Sequence, residues 1–296
     1  MDGEIFRQLR LREGYSLHDA AEEVTSVATL SRFENGLVAI GTEKLVACLN
    51  NIGLTFLEFA SADDARQENQ YNYFNDLRRM VELDQLAELE QQAQAQRARY
   101  DRSQSTIDFH TLVLAAGMSV KAGGANVLTP DETGQVLHEL RRSDVWGEIE
   151  ILQFEAAAPL LTAADDLALA LDLALHVDDI ARRSTLLYRD AWSAMLSTLE
   201  VLVYRGSAQA AELAARLNPM PIHEEAMVMR LRLRFINACV RLRQGEDDAA
   251  QQEITQLVAL MRFMLCNDLA TYYERKGSWL MEGGTDDADG RTVRTR

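Results

Sequence analysis

The chain has 296 residues, 47% of them hydrophobic, and a formal net charge of −16 at pH 7, a length that allows about two domains. No run approaches the roughly 20 apolar residues of a membrane span, and Met1-Asp2-Gly3-Glu4 lacks the basic-then-apolar opening of a secretory signal. Cys48, Cys239 and Cys266 are odd in number and free of CxxC spacing, which argues against a disulfide framework or a zinc site and favours a reducing, cytoplasmic setting.

Few prolines and many Ala, Leu, Glu, Gln and Arg residues predict an all-α protein. The first unit, residues 1–62, reads as five short helices near 3–13, 16–24, 27–34, 42–52 and 55–61. Ser16 stands as an N-cap with Asp19 three residues on, a capping-box spacing. Thr25-Ser26 forms a tight polar turn into the third helix, and Asn35-Gly36 supplies its left-handed stop. Leu30 and Phe33 anchor that helix and leave its other face free, the arrangement of a recognition helix in a helix-turn-helix. The unit holds nine acidic against five basic residues, a net −4, so it has no broad basic footprint for DNA. Only Arg7, Arg10, Arg12 and Arg32 form a local cluster. Modest non-specific affinity and a need for dimerisation follow.

Residues 63–103, rich in Gln, Glu and Arg, read first as a solvated linker helix and otherwise as a connecting helix that transmits movement. Residues 104–284 predict helix after helix, with a loop across Ser119–Leu128. Gly206-Ser-Ala-Gln-Ala-Ala211 returns as Gly245-Glu-Asp-Asp-Ala-Ala250, each copy closing a long helix at glycine and opening another with paired alanines. Helical-hairpin repeats of the tetratricopeptide kind have this form. The polar tail, residues 285–296, is expected to be disordered.

Arg10, Gly14, Ser16, Ala21, Ser26, Leu30, Glu34, Asn35 and Gly36 fall at the spacings of the Xre, or lambda-repressor-like, helix-turn-helix superfamily. More narrowly, Leu30-Ser31-Arg32-Phe33-Glu34 with Gly36, and Leu54-Thr55-Phe56-Leu57-Glu58-Phe59, resemble the opening domain of the Rgg/GadR/MutR regulators of Gram-positive bacteria. The motif match spans about 60 residues; beyond them the likeness is one of length and helical architecture. The resemblance implies a dimeric cytoplasmic transcription regulator controlled by a short hydrophobic peptide in its helical-repeat domain. It also implies a structural ion pair between Arg10 and Glu34.

Expected DNA contacts are Arg7, Ser26, Val27, Ala28, Thr29, Ser31 and Arg32, with Ser26 also able to act as a cap. Where relatives often carry long polar side chains, this chain has Val27, Ala28 and Thr29. Short side chains make no bidentate contact to guanine or adenine edges, so an A·T-leaning inverted-repeat site with weak direct readout is expected. In the helix near 222–244, Arg230, Arg234, Asn237 and Arg241 form a polar stripe between two apolar ones. The stripe reads either as a peptide-gripping inner wall, with Tyr188 lining the same groove, or as arginines paired with acids on neighbouring helices. No HExxH, GxSxG, Walker or GxGxxG pattern is present, so no cofactor, metal or enzyme activity is expected. The alternatives are a ligand-independent dimeric regulator and a protein-interaction module without specific DNA binding.

Overall fold

The computed structural model describes residues 3–64, 70–245, 247–286 and 292–293. It is helical apart from one two-residue ladder, and the chain divides into two compact units, residues 1–73 and 74–296. No single helix among the described residues is long and apolar enough to cross a membrane.

The first unit holds α1 (Gly3–Arg12), α2 (Leu17–Ala21), α3 (Val27–Glu34), α4 (Thr42–Asn51) and α5 (Phe56–Asp64). Ile5, Phe6 and Leu9 of α1, Leu30 and Phe33 of α3, Leu45 and Leu49 of α4, and Phe59 of α5 close around one core. Three local devices set the geometry of α2 and α3. Asp19 N donates to Ser16 Oγ at 3.2 Å while Ser16 N donates to Asp19 Oδ2 at 2.8 Å, the reciprocal capping box that the spacing predicts. Thr29 N donates to Ser26 Oγ at 3.1 Å and so caps α3. Gly36, at φ +69°, ends α3 in the left-handed region that glycine enters without a Cβ clash. The side chain of Asn51 then donates to the Ala20 and Glu22 carbonyls and ties the end of α4 to the turn after α2.

The second unit continues with α6 (Gln70–Glu82), counted from Phe74 onward, α7 (Leu86–Ser103), α8 (Thr106–Lys121), α9 (Pro130–Arg142) and α10 (Glu148–Ala157). It is completed by α11 (Ala163–Arg183), α12 (Thr185–Tyr204), α13 (Gln209–Leu217), α14 (Met227–Arg243), α15 (Asp247–Phe263) and α16 (Asn267–Met281). The contacts form two rows. One runs α8, α10, α12, α14, α16, each helix packed on the next, and α7, α9, α11, α13 and α15 pack against it from outside. The two echoed glycines mark where the chain leaves the inner row, after α12 and after α14, both at positive φ (Gly206 +64°, Gly245 +89°).

Helix α12 lies deepest, with every residue from Asp190 to Glu200 buried. A helix covered on all sides needs apolar residues all round, and the buried stretch of α12 has them except at Asp190, Ser193, Ser197, Thr198 and Glu200. α8 and α10 touch backbone to backbone: a Cβ at Gly117 would stand 1.7 Å from the Ala156 carbonyl oxygen.

Two expectations need correction here. Residues 74–103 are not a solvated linker, because Phe74, Leu77, Val81, Leu89 and Ala93 are buried and α7 packs along α8. The polar surface of this stretch hides a thin apolar stripe that its composition masks. The expected loop across Ser119–Leu128 begins only at Ala122, since α8 runs to Lys121. Of the tail expected to be disordered, Thr285–Asp286 pairs antiparallel with Thr292–Val293; residues 287–291 and 294–296 lie outside the described residues.

Candidate nucleic-acid interface and polar centre

In the first unit, α3 presents one uninterrupted exposed run. Ser26, Val27, Ala28 and Thr29 are exposed, Ser31 is half-buried and Arg32 is exposed, whereas Leu30, Phe33 and Glu34 are buried. The helix is therefore fastened by its second half, and its first turn is offered to solvent, where a recognition helix meets base edges. The Thr29 hydroxyl is already engaged with Ser26 Oγ at 2.8 Å, so both polar side chains of that turn serve the cap first. Arg7 on α1 is exposed too, and neither it nor Arg32 forms an ion pair among the described residues.

Arg10 belongs to the scaffold. Its Nε and Nη2 donate to Glu34 Oε1 and Oε2 at 2.7 and 2.8 Å, and its Nη1 donates to the Tyr15 carbonyl at 2.8 Å. Both side chains are buried, at 6% and 3% exposure. This fork joins α1 to the end of α3 and fixes the pose of the exposed turn. Cys48 is wholly buried in the same core, and burial raises its thiol pKa, which makes it a poor nucleophile.

The polar stripe on α14 is bonded to groups of its own unit, as the second of its two readings expects. Arg234 donates to Glu253 Oε1 of α15 at 2.8 Å, and Arg241 pairs with Glu253 Oε2. Asn237 bonds Asn218, and Arg230 donates to the Ile222 carbonyl. Two members of the stripe thus reach α15 and two reach the segment between α13 and α14, with Arg230 and Arg234 exposed. Tyr188 is likewise structural: its ring is 2% exposed and stacks on His223 with centroids 4.2 Å apart. Its hydroxyl donates to the Pro221 carbonyl and accepts from His223 N.

The inner row instead converges on a polar centre that the sequence reading did not single out. Arg78 of α6 grips Glu155 of α10 through Nε (3.2 Å) and Nη2, and Asp190 of α12 through Nη1 at 3.2 Å. Ser193 and Ser197 also donate to Glu155 Oε1, at 3.3 and 3.1 Å. Burial opposes the charge on Glu155, but Arg78 and Lys121 outweigh it and hold the carboxyl below its ordinary pKa. Lys121 Nζ donates to Ser197 Oγ at 2.5 Å. Arg232, the one arginine among α14's first three that the stripe omits, donates to Tyr273 Oη at 2.9 Å and to Ser193 Oγ at 3.0 Å. Tyr272 Oη donates to Glu200 Oε1. These groups surround a cavity of about 50 Å³. A buried network of this kind is costly unless its members are satisfied, so its presence in the middle of a helical core marks a candidate binding site.

Comparison with known proteins bears on both units. Residues 6–59 match the helix-turn-helix family profile, and residues 68–275 match the profile of the HTH-type transcriptional regulator Rgg, C-terminal domain. No curated protein matches the sequence. Among solved structures, the chain is similar to the Streptococcus dysgalactiae SHP pheromone receptor Rgg2. That match has 14% identity and a TM-score of 0.66, covering 93% of this chain and 98% of the other. A Listeria monocytogenes EGD-e protein solved as a candidate transcriptional regulator is similar at 12% identity and TM-score 0.69, covering 95% and 97%. PrgX in its complex with cCF10 is similar at 12% identity and TM-score 0.59, covering 93% and 90%. At these identities the likeness is one of fold.

Proposed function

The chain belongs to the Rgg family of helix-turn-helix transcriptional regulators, and on that premise we propose that it binds an inverted-repeat promoter site as a homodimer and answers to a short peptide. The single observation that carries the DNA half is the run Ser26–Thr29 with Arg32, exposed on a helix whose other face is locked by Leu30, Phe33 and the Arg10–Glu34 fork. Two such helices read half-sites one DNA turn apart, roughly 34 Å. Their small side chains favour thymine methyl contacts and DNA shape over bidentate base contacts, so the site leans toward A·T. Arg7 and Arg32 supply phosphate or base-edge contacts, and Ser31 a phosphate contact.

The peptide half rests on the polar centre. SHP pheromone reception is stated for Rgg2, and PrgX was solved with cCF10; in this chain the feature that supports the reading is a cavity on the inner helical row lined by side chains of six helices, five of which contribute charged groups. A ligand seated there touches α6, α8, α10, α12, α14 and α16 together. It biases their arrangement only to the extent that it binds one arrangement more tightly.

The test is immunoprecipitation of the protein with its chromosomal DNA from the native host. Sharp peaks at promoters, above all beside its own gene or a small open reading frame, are expected. No enrichment at any growth density would instead favour a protein-interaction role for the helical unit.

A further inference from the structure

The donors and acceptors of the polar centre are unequally used. Its acids are mostly consumed: Glu155 by Arg78 and two serines, Asp190 by Arg78. Two of its cations are not. Lys121 and Arg232, from different helices, hydrogen-bond only to neutral groups, chiefly the hydroxyls of Ser197, Ser193 and Tyr273, while Glu155 and Glu200 act on both charges through space. Neither forms an ion pair among the described residues, and both are half-buried at the cavity wall. Opposite them, Glu200 is 2% exposed and its Oε2 has no partner. An acceptor stranded in this way costs free energy until an N–H reaches it.

Two open cationic donors and one buried open acceptor describe the end of a polypeptide, in which a carboxylate lies one residue away from an amide N–H. We propose that the cavity captures the free C-terminal carboxylate of a peptide, with Lys121 and Arg232 as its donors and Glu200 accepting from the last amide N–H. This inference rests on the reading that the helical unit receives a peptide and adds which end enters.

Size agrees with the assignment. About 50 Å³ holds three to five water molecules at roughly 10–15 Å³ each, enough for a carboxylate and its α-carbon and too little for a peptide's body. The body then lies outside, along the inner row. Charge agrees as well. Burial lowers the pKa of Lys121, so an arriving anion stabilises its ammonium. Glu82 also lines the cavity, and burial raises its pKa, which eases the repulsion an incoming carboxylate meets. Charge-assisted bonds from two cations are the strong kind.

The experiment uses the full chain and a randomised library of N-acetylated heptapeptides, made once as free acids and once as C-terminal amides. Peptides that co-elute with the protein are quantified by mass spectrometry. Free acids are expected to be retained and their amide counterparts at least tenfold less. Lys121→Met and Arg232→Met, each checked for folding by circular dichroism, should abolish that preference, and Arg232→Lys should keep part of it. Equal retention of acids and amides on the unaltered protein overturns the carboxylate assignment and leaves the peptide reading standing. Retention of neither form overturns both.

Discussion

Replacing Arg10 by Met removes one half of the fork that fixes α3, and its cost follows from the geometry. The substitution strands Glu34, whose side chain is 3% exposed and receives two bonds from the guanidinium. Breaking a buried pair from one side costs about 3–5 kcal/mol, and the Tyr15 carbonyl also loses its donor, roughly 1 kcal/mol more. A unit of this size sits near the lower end of the ~5–15 kcal/mol typical of domains. At about 4–8 °C per kcal/mol, a loss of about 4–6 kcal/mol should lower the Tm of this unit by roughly 15–50 °C. Hydrogen exchange read by mass spectrometry on the full chain follows the unit separately: amides of α3 and α4 should lose protection while those of α12 do not. The pair Arg10→Met with Glu34→Leu should regain most of the loss, because removing both charges leaves nothing stranded. A single variant whose α3 amides stay within about 1 kcal/mol of the parent would refute the claim that this fork holds the recognition helix in place.

Asp166 gives a pH prediction. It is fully buried, its Oδ1 has no partner, Arg205 reaches Oδ2 only at 3.5 Å, and burial pushes its pKa up to about 8. Between about 4 and about 8 the folded chain therefore holds a proton that the unfolded chain releases, so stability falls as pH rises through that window, by at most about 1.4 kcal/mol per pH unit. Asp166→Asn should flatten that slope in urea melts taken from pH 5 to pH 8.5; an unchanged slope contradicts it. Gly117→Val forces α8 from α10 against the Ala156 carbonyl and should destabilise the helical unit by several kcal/mol, read as a lowered urea midpoint. Arg32→Ala should weaken DNA binding at least tenfold; a salt slope reduced by about 1 marks a phosphate contact, and relaxed preference at one base pair a base contact. Unchanged affinity removes Arg32 from the interface.

What the sequence made legible was what is encoded locally. The capping box at Ser16, the Ser26 cap, the Gly36 stop and the 3.6-residue spacing of Leu30 and Phe33 each act within a few residues, so they can be read in order. The echoed Gly206 and Gly245 marked the hairpin ends for the same reason. The polar centre was illegible because it is assembled from α6, α8, α10, α12, α14 and α16, and a lone Glu155 or Arg232 in a helix looks like any solvated charge until the neighbours are known. The stripe on α14 shows the same limit: a helical wheel identifies a face but not which helix covers it. Glu253 on α15 pairs with Arg234 and Arg241 of the stripe, while Arg232, two residues from Arg230 and from Arg234, faces the centre. Asp190 and Glu200 offered the one available signal, being acids at the ends of the apolar stretch of α12, where a solvated face leaves no room for them.

The most direct test is selection of randomised DNA duplexes by the full-length protein, sequenced at two salt concentrations. An enriched inverted repeat, A·T-leaning where α3 reads it and with half-sites about one turn apart, whose affinity falls steeply with salt while its sequence preference persists, is the predicted result. A pool no different from the input at either salt concentration would contradict the account.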